Sequence, residues 1–394
     1  MLSIAHLASG LKGRGGIQGL LFDFFISPHS QQVQNFLVTT SISSDLVQWL
    51  ELHNIPFFQP SRHKYNPARV VDIVEYVRSR NIKIIHSYGA YSNVWAYTII
   101  QLTETPLKLI TGEHGSIWFI KPPLRWMDRF IQRQAQLVIA NSKAAAFMLQ
   151  AYYRIPSERI RVVYNAVMPP RLISEQEARK NLGLPDDCEI IGSVGRLDTP
   201  KDYWTFIDTA KIVLKYRPKS HFVVVGGGPQ YSFLVHLVQD YGISDRFHFT
   251  GMRADARELI TAFDLFVSTS FREPFGNVLA EAAFANKAVV APAVDGIPEA
   301  VENNQTGILL MPTLPVRPVV APGSSPMPKF VVRDGKLQPP RSLDPQLLAE
   351  TIIDLLNDPE RRKWMGEKGR RRAEVLFNNQ RYVDELEQIY LQFD

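Results

Sequence analysis

One cysteine, Cys188, in 394 residues leaves no disulfide framework to build, and that scarcity points to a reducing compartment. Long apolar runs are missing too: none approaches the roughly 18 residues of a membrane span. The opening "MLSIAHLASG" lacks the basic start and long apolar stretch of a leader. A cytoplasmic protein is the expectation. Nor is there a large excess of one charge sign, since 44 Lys and Arg stand against 39 Asp and Glu, a net of +5. That balance leads to no expectation of a nucleic-acid partner, while it permits phosphates or an anionic lipid surface.

What is present is an ordinary globular composition, 45% hydrophobic and 21% charged, in a chain too long for one core and suited to two. Short β-branched runs alternate with helical patterns. In the first half the strand candidates are "SIAHLAS", "NFLVTT", "IKIIHSY", "PLKLIT", "QLVIANS" and "RIRVVYN"; in the second they are "EIIGSVG", "HFVVVGG", "RFHFTG", "DLFVSTS", "KAVVAPA" and "GILLM". Buried strands of this kind, separated by helices, predict parallel, doubly wound sheets. The pattern runs twice, broken by "NAVMPPRLIS", so the expectation is an α/β protein of two Rossmann-like domains facing each other across a cleft. The first spans 1–168 and the second 169–378. The last helix, within 379–394, has no strand after it and is free to pack on the first domain. From 312 to 340 the prolines of "PTLPVRPVVAPGSSPMPKFVVRDGKLQPP" rule out a regular helix. An insert of that length is expected to be disordered or a surface excursion.

Ligands of open parallel sheets bind beyond the carboxyl ends of the strands, which directs attention to two loops. In "GSVGRLDTPKDYWTFIDTAKIVL", Asp198 or Thr199 can cap a helix with Pro200 at its first position. Lys201 then sits in the first turn, where the macrodipole disfavours a cation. With Arg196 it forms a cationic pair suited to a diphosphate; read alone, the same residues fit a surface Arg and a solvated Lys. In "FREPFGNVLAEAAF", Glu273 lies between strand and helix and Glu281 lies eight residues on, about one turn into the helix. Between them the amides of Phe275, Gly276, Asn277 and Val278 point outward, and Gly276 lets a ligand approach the backbone. Carboxylate, amides, carboxylate match the sugar, diphosphate and ribose of a nucleotide sugar; the plainer reading is a capping Glu and a solvated one.

Taken together, "GRLDTPKD", "VGGGP", "FTGMRAD" and the Glu273–Glu281 spacing, with "GRGGIQ", "GEHG", "ANS" and "VVYNAV" in the first half, resemble the family 4 retaining glycosyltransferases of the GT-B fold. The resemblance covers nearly the whole chain outside the insert. It implies that Arg196 and Lys201 hold the donor diphosphate and stabilise the leaving group. It implies that Glu281 binds the ribose and Glu273 the transferred sugar, helped by the Phe275–Val278 amides. Met252 and Arg253 would border the base, Gly15 and Gly16 approach the phosphates from the other domain, and His114 sit beside the reacting sugar. Gln18 stands where many members carry Glu, a departure at an acceptor-side or catalytic position. The donor is then a nucleotide diphosphate sugar, with no further cofactor. The acceptor is a glycan or lipid-linked molecule, as in polysaccharide or glycolipid assembly. No Asp-x-Asp occurs, so no metal clamp is expected and the two cations take its place.

Two other classes fit some of these residues. A non-catalytic sugar-nucleotide-binding protein would share the fold. A dinucleotide-dependent oxidoreductase would use the glycines of "GLKGRGGIQG", but its fingerprint expects an acid after the next strand, and "NFLVTTSIS" ends in Thr and Ser. A last stretch, "SIWFIKPPLRWMDRFIQRQAQ", places Arg125, Arg129 and Arg133 along one side of a helix, drifting by about 40° per step. Lys121, Trp118, Phe119, Trp126 and Phe130 lie close by. This suits a peripheral helix on the inner face of an anionic membrane; in the alternative, Trp126, Phe130 and Ile131 are core and the arginines are solvated.

Overall fold

A computed structural model describes residues 1–11, 16–61, 66, 68–115, 117, 120–171, 173–317 and 321–394. The chain forms two compact units, Met1–Val167 with Asn378–Asp394, and Met168–Phe377. The change of unit falls inside the proline-bearing stretch 165–174.

The first unit holds a seven-stranded parallel sheet. Its strands are β1 (Leu2–Ala8), β2 (Val33–Thr39), β3 (Phe57–Phe58), β4 (Ile84–Tyr88), β5 (Lys108–Glu113), β6 (Leu137–Ala140) and β7 (Ile160–Val162), in the order β3-β2-β1-β4-β5-β6-β7. All seven residues of β1 are buried. With helices on both faces, a central strand has no solvent side and reads as a continuous apolar run. The six strands expected from sequence are all present; the two-residue edge strand β3 is too short to carry a pattern.

The helix Asn379–Leu391 closes this unit. Tyr382, Val383, Leu386, Ile389 and Tyr390 pack with Leu2, Ile4, Leu20 and Ile84, and the Asn379 amide donates to the Asp23 carbonyl at 2.6 Å. Tyr390 and His86 meet through the tyrosine hydroxyl and Nδ1 at 2.7 Å, deep in the core. The helix therefore buries its 3.6-residue apolar stripe in the first unit, although the chain reaches it from the second.

The second unit holds a six-stranded sheet: β8 (Ile190–Val194), β9 (His221–Val225), β10 (Phe247–Phe249), β11 (Leu265–Val267), β12 (Val289–Pro292) and β13 (Gly307–Leu310). Their order is β10-β9-β8-β11-β12-β13, and every pairing is parallel. One face packs on the helix Tyr203–Tyr216, whose Trp204, Phe206, Ile207, Ala210 and Val213 are buried, with Leu214 partly so. Each unit is thus a doubly wound parallel sheet.

Of the two expectations for the insert, disorder is corrected and a surface excursion is met, since most of its described residues are exposed or half-buried. Its described residues form two short antiparallel pairs: β14 (Leu314–Pro315) with β17 (Arg341–Ser342), and β15 (Val331–Arg333) with β16 (Lys336–Gln338). Val331 is fully buried. The prolines exclude helix, as expected, but β pairs of two or three residues need few free amides, and the buried valines anchor them.

Candidate active site

In the second sheet the strand order reverses between β8 and β11, which are hydrogen-bonded neighbours. Successive connections leave in opposite directions from such a point, and a crevice opens beyond the carboxyl ends of the two strands. The loop after β8 carries Arg196 and Lys201, and the loop after β11 carries Glu273. The switch point brings them together: Lys201 Nζ donates to Glu273 Oε2, with the side chains only 22% and 14% exposed. The Thr269 hydroxyl ties the loops a second time by donating to the Lys201 carbonyl at 2.9 Å.

Local sequence explains the placement of Lys201, and here an expectation changes. Asp198 caps a three-residue turn, Thr199–Lys201, by accepting from the Thr199 amide at 2.8 Å. Asp202 then takes a left-handed conformation, φ 49°, and the long helix starts afresh at Tyr203. The Thr205 hydroxyl donates to Asp202 Oδ2 at 2.8 Å and steadies this start. Lys201 therefore lies outside the first turn of the long helix. The break frees its side chain to run towards Glu273, so the conflict with the helix dipole expected from sequence does not arise. Arg196 is the open cation of the pair: its side chain is 64% exposed, with Nε 3.3 Å from Asp198 Oδ2.

Glu281 sits on the helix Asn277–Phe284, which begins at Gly276. Gly276 has φ +90°, open to glycine and costly for other residues. Arg257 Nε donates to Glu281 Oε1 at 3.0 Å. Burial pushes the Glu281 carboxyl above its ordinary range, and Arg257, with Lys201 behind it, pulls it back. Arg257 was not singled out in the sequence. Its one signal is its place in "FTGMRADAREL", close to the loop after β10. Phe275 is buried edge-on against Phe377, which fixes the start of the Asn277–Phe284 helix.

Met252 is exposed and lies beside the glycine-rich loop after β9: a Cβ added to Gly227 would stand 3.1 Å from Met252 Cγ. Arg253 pairs through two 2.8 Å bonds with Asp255. Gly228 packs so closely on the neighbouring loop that an added Cβ would lie 2.4 Å from the Leu197 carbonyl oxygen. The loops after β8 and β9 are in backbone contact there.

The remaining residues belong to the first unit. Gly16 caps the helix Ile17–Phe25 at φ 60°; Gly15 lies outside the described residues. The Gln18 amide donates to the Gly10 carbonyl at 3.3 Å. His114 follows β5, with its ring stacked on Tyr88 at 5.7 Å. Burial pushes its imidazole down to about 4, opposed by Asn165, so at neutral pH it can exchange hydrogen bonds with hydroxyls but carries no charge.

The chain matches two family models, one described as Glycosyltransferase Family 4 over residues 3–170 and one as Glycosyl transferases group 1 over residues 174–315. It is 25% identical over 349 residues to N-acetyl-alpha-D-glucosaminyl L-malate synthase of Bacillus anthracis, covering 86% of this chain and 83% of that relative. It is 32% identical over 231 residues to D-inositol 3-phosphate glycosyltransferase of Mycolicibacterium smegmatis, covering 55% of this chain and 51%, about half, of that relative. Among solved structures, Anabaena Alr3699/HepE in complex with UDP and glucose superimposes with a TM-score of 0.79 at 20% identity, with both chains covered in full. A glycosyltransferase from Rickettsia africae does so with the same score at 17% identity, over 100% of this chain and 98% of that one.

Proposed function

Because the chain belongs to glycosyltransferase family 4 of the group 1 glycosyltransferases, and so transfers sugars, we propose that it is a retaining, metal-independent enzyme. Its donor is a nucleotide diphosphate sugar and its acceptor a glycan or lipid-linked molecule of polysaccharide or glycolipid assembly. One observation carries this reading: the Lys201–Glu273 pair across the switch point, with Arg196 beside it and Glu281 on the adjoining helix. UDP in the related Anabaena complex supports a nucleoside diphosphate as the bound group.

Charge develops on the departing diphosphate, so fixed cations aimed at it supply most of the stabilisation. An ammonium has three donors, so Lys201 can hold Glu273 and a phosphate oxygen at once. Arg196, exposed and on the same loop, supplies the second cation. The amides of Phe275–Val278 add the positive end of the Asn277–Phe284 helix. Glu273, oriented by Lys201, accepts from hydroxyls of the transferred sugar, and Glu281, oriented by Arg257, from those of the ribose. Met252 and Arg253 border the base. Gly15 and Gly16 approach the phosphates and His114 the reacting sugar, parts that family membership supports.

The test is release of nucleoside diphosphate from a panel of sugar nucleotides, with and without acceptor glycans. Release from one donor supports the enzyme; binding without release supports the sugar-nucleotide-binding alternative. Activity should persist in excess EDTA, because the two cations stand where a divalent ion would. Full loss in EDTA, restored by magnesium or manganese, contradicts metal independence.

A specific observation also favours an anionic membrane as the place of work. On the helix Leu124–Gln134, Ile131 is buried, but Trp126, Met127 and Phe130 are 64%, 46% and 52% exposed. The reading of Trp126 and Phe130 as core is thereby corrected. Arg125, Arg129 and Arg133 lie on the same helix; Trp118 and Phe119 lie outside the described residues. Among the described residues no helix is long and apolar enough to cross a membrane. Exposed aromatics beside cations suit an interfacial helix, each cation contributing about 1 kcal/mol near anionic lipid. Cosedimentation with phosphatidylserine vesicles should rise with anionic content, fall with salt, and collapse in the Arg125, Arg129 and Arg133 triple-Glu variant. Folded protein that ignores such vesicles at low salt contradicts docking.

A further inference from the structure

The proline-rich insert meets the second unit at the loops that carry the cations and the first carboxylate. From its middle, Ser325 donates twice to Asp198, through its amide to Oδ1 at 2.7 Å and through its hydroxyl to Oδ2 at 2.6 Å. Asp198 is the cap of the Lys201 turn and the neighbour of Arg196, and it is almost wholly buried. Next along, Gly323 approaches the glycine-rich loop after β9, where an added Cβ would touch Pro229 at 3.7 Å. Further on, β15 reaches Asp295: the Val332 amide donates to Asp295 Oδ1 at 2.7 Å, and the Asp295 amide donates to the Val332 carbonyl at 2.8 Å. The other oxygen of the same carboxylate accepts the amide of Glu273 at 3.1 Å. One end of the insert is held as well, by an ion pair of Arg317 with Asp208 on the helix after the Lys201 turn.

Two details show these contacts to be more than loop decoration. Asp295 has φ +47°, a left-handed conformation that glycine takes most readily and that aspartate tolerates better than most side chains. Glycine would take that backbone freely, yet the chain has an aspartate whose two oxygens join the insert to Glu273. Asp198, for its part, shares its carboxylate among the Thr199 amide, Ser325 and Arg196. Donors compete for the lone pairs and charge of one carboxylate. Arg196 already stands 3.3 Å from this carboxylate, and without the two bonds from Ser325 Asp198 would hold it more tightly and withdraw it from the crevice.

We propose that the insert is a built-in clamp on the donor loops, with Ser325 and Asp295 as its positioning residues. Ser325 occupies Asp198 so that Arg196 stays available to a diphosphate, and Asp295 fixes the backbone at Glu273. The clamp rests on the donor-site reading above, and its test separates the two.

Hydrogen exchange and calorimetry on the full chain provide that test, with UDP, GDP and ADP titrated in turn. Ser325→Ala should speed amide exchange over 196–202 and leave 271–278 unchanged, whereas Asp295→Asn should do the reverse. Asparagine tolerates left-handed backbone, and Asp295→Gly serves in its place should the first variant not fold. Each variant should weaken nucleoside diphosphate affinity about tenfold, the worth of one charge-assisted hydrogen bond, and Ser325→Thr should retain wild-type affinity. Unchanged exchange in both segments overturns the clamp. So does intact diphosphate affinity in the Ser325 and Asp295 variants when Lys201→Ala has lost it. If Lys201→Ala itself binds all three diphosphates as wild type does, the donor-site reading fails, and the exchange rates alone judge whether the insert clamps those loops.

Discussion

Arg196→Ala is expected to lower kcat/KM for sugar transfer by about 30- to 1,000-fold while leaving the melting temperature unchanged, and Lys201→Ala to lower both. The kinetic range corresponds to about 2–4 kcal/mol of lost transition-state stabilisation, as for other donors aimed at developing charge. The two cations separate on stability because their surroundings differ. Arg196 is 64% exposed, and the buried Asp198 it neighbours keeps three hydrogen bonds, from the Thr199 amide and from the amide and hydroxyl of Ser325, when the guanidinium is gone. Lys201 and Glu273 are largely enclosed, so deleting the ammonium leaves a half-buried carboxylate without its counter-charge. In full burial that costs several kcal/mol, and the remaining exposure here reduces it to about 1–3 kcal/mol. Adding Glu273→Gln to Lys201→Ala should therefore restore much of the stability and none of the activity. Steady-state kinetics with thermal denaturation checks all three proteins. Wild-type kcat/KM in folded Arg196→Ala and Lys201→Ala would remove both residues from the site.

The second large effect divides the two acids. Glu281→Gln should weaken nucleoside diphosphate binding by about 10- to 100-fold, the loss of one or two hydrogen bonds to a charged acceptor. Glu273→Gln should leave that affinity nearly intact and depress transfer instead. Their surroundings support the split. Glu281 is held by Arg257 on the helix, one turn past the amides, whereas Glu273 is held by Lys201 in the loop before them. Calorimetry with the diphosphate, set beside transfer rates, distinguishes them. Equal loss of nucleotide affinity in both variants contradicts the assignment.

The doubly wound sheets were legible because central parallel strands are apolar on both faces, and runs such as "HFVVVGG" and "DLFVSTS" show it directly. Glu273 and Glu281 were legible for a related reason, since a strand end followed by a helix start fixes which residues face the crevice. The partners of those acids were not. Arg257 lies 24 residues before Glu281, and only the placing of β10 beside β9 and of the Asn277–Phe284 helix after β11 brings the two together. The position of Lys201 outside the long helix was not legible either, because the left-handed Asp202 ends its turn and no sequence pattern marks that break. The order within the insert is hidden from the sequence for a similar reason. That order comes from long-range bonds, Ser325 to Asp198 and Val332 to Asp295, between residues 127 and 37 positions apart. Local composition sees the prolines and none of those bonds.

Whether the loops after β8 and β11 grip a sugar nucleotide is decided by thermal denaturation with a panel of nucleotide sugars and their diphosphates. A ligand present at 100 times its Kd adds about 2.7 kcal/mol to the folded state, which for a unit of this size is a rise of about 5–10 °C. Such a rise is expected with at least one nucleotide sugar, in EDTA, and should be lost in Arg196→Ala and Glu281→Gln. No rise with any sugar nucleotide, or one that persists undiminished in both variants, contradicts such a grip.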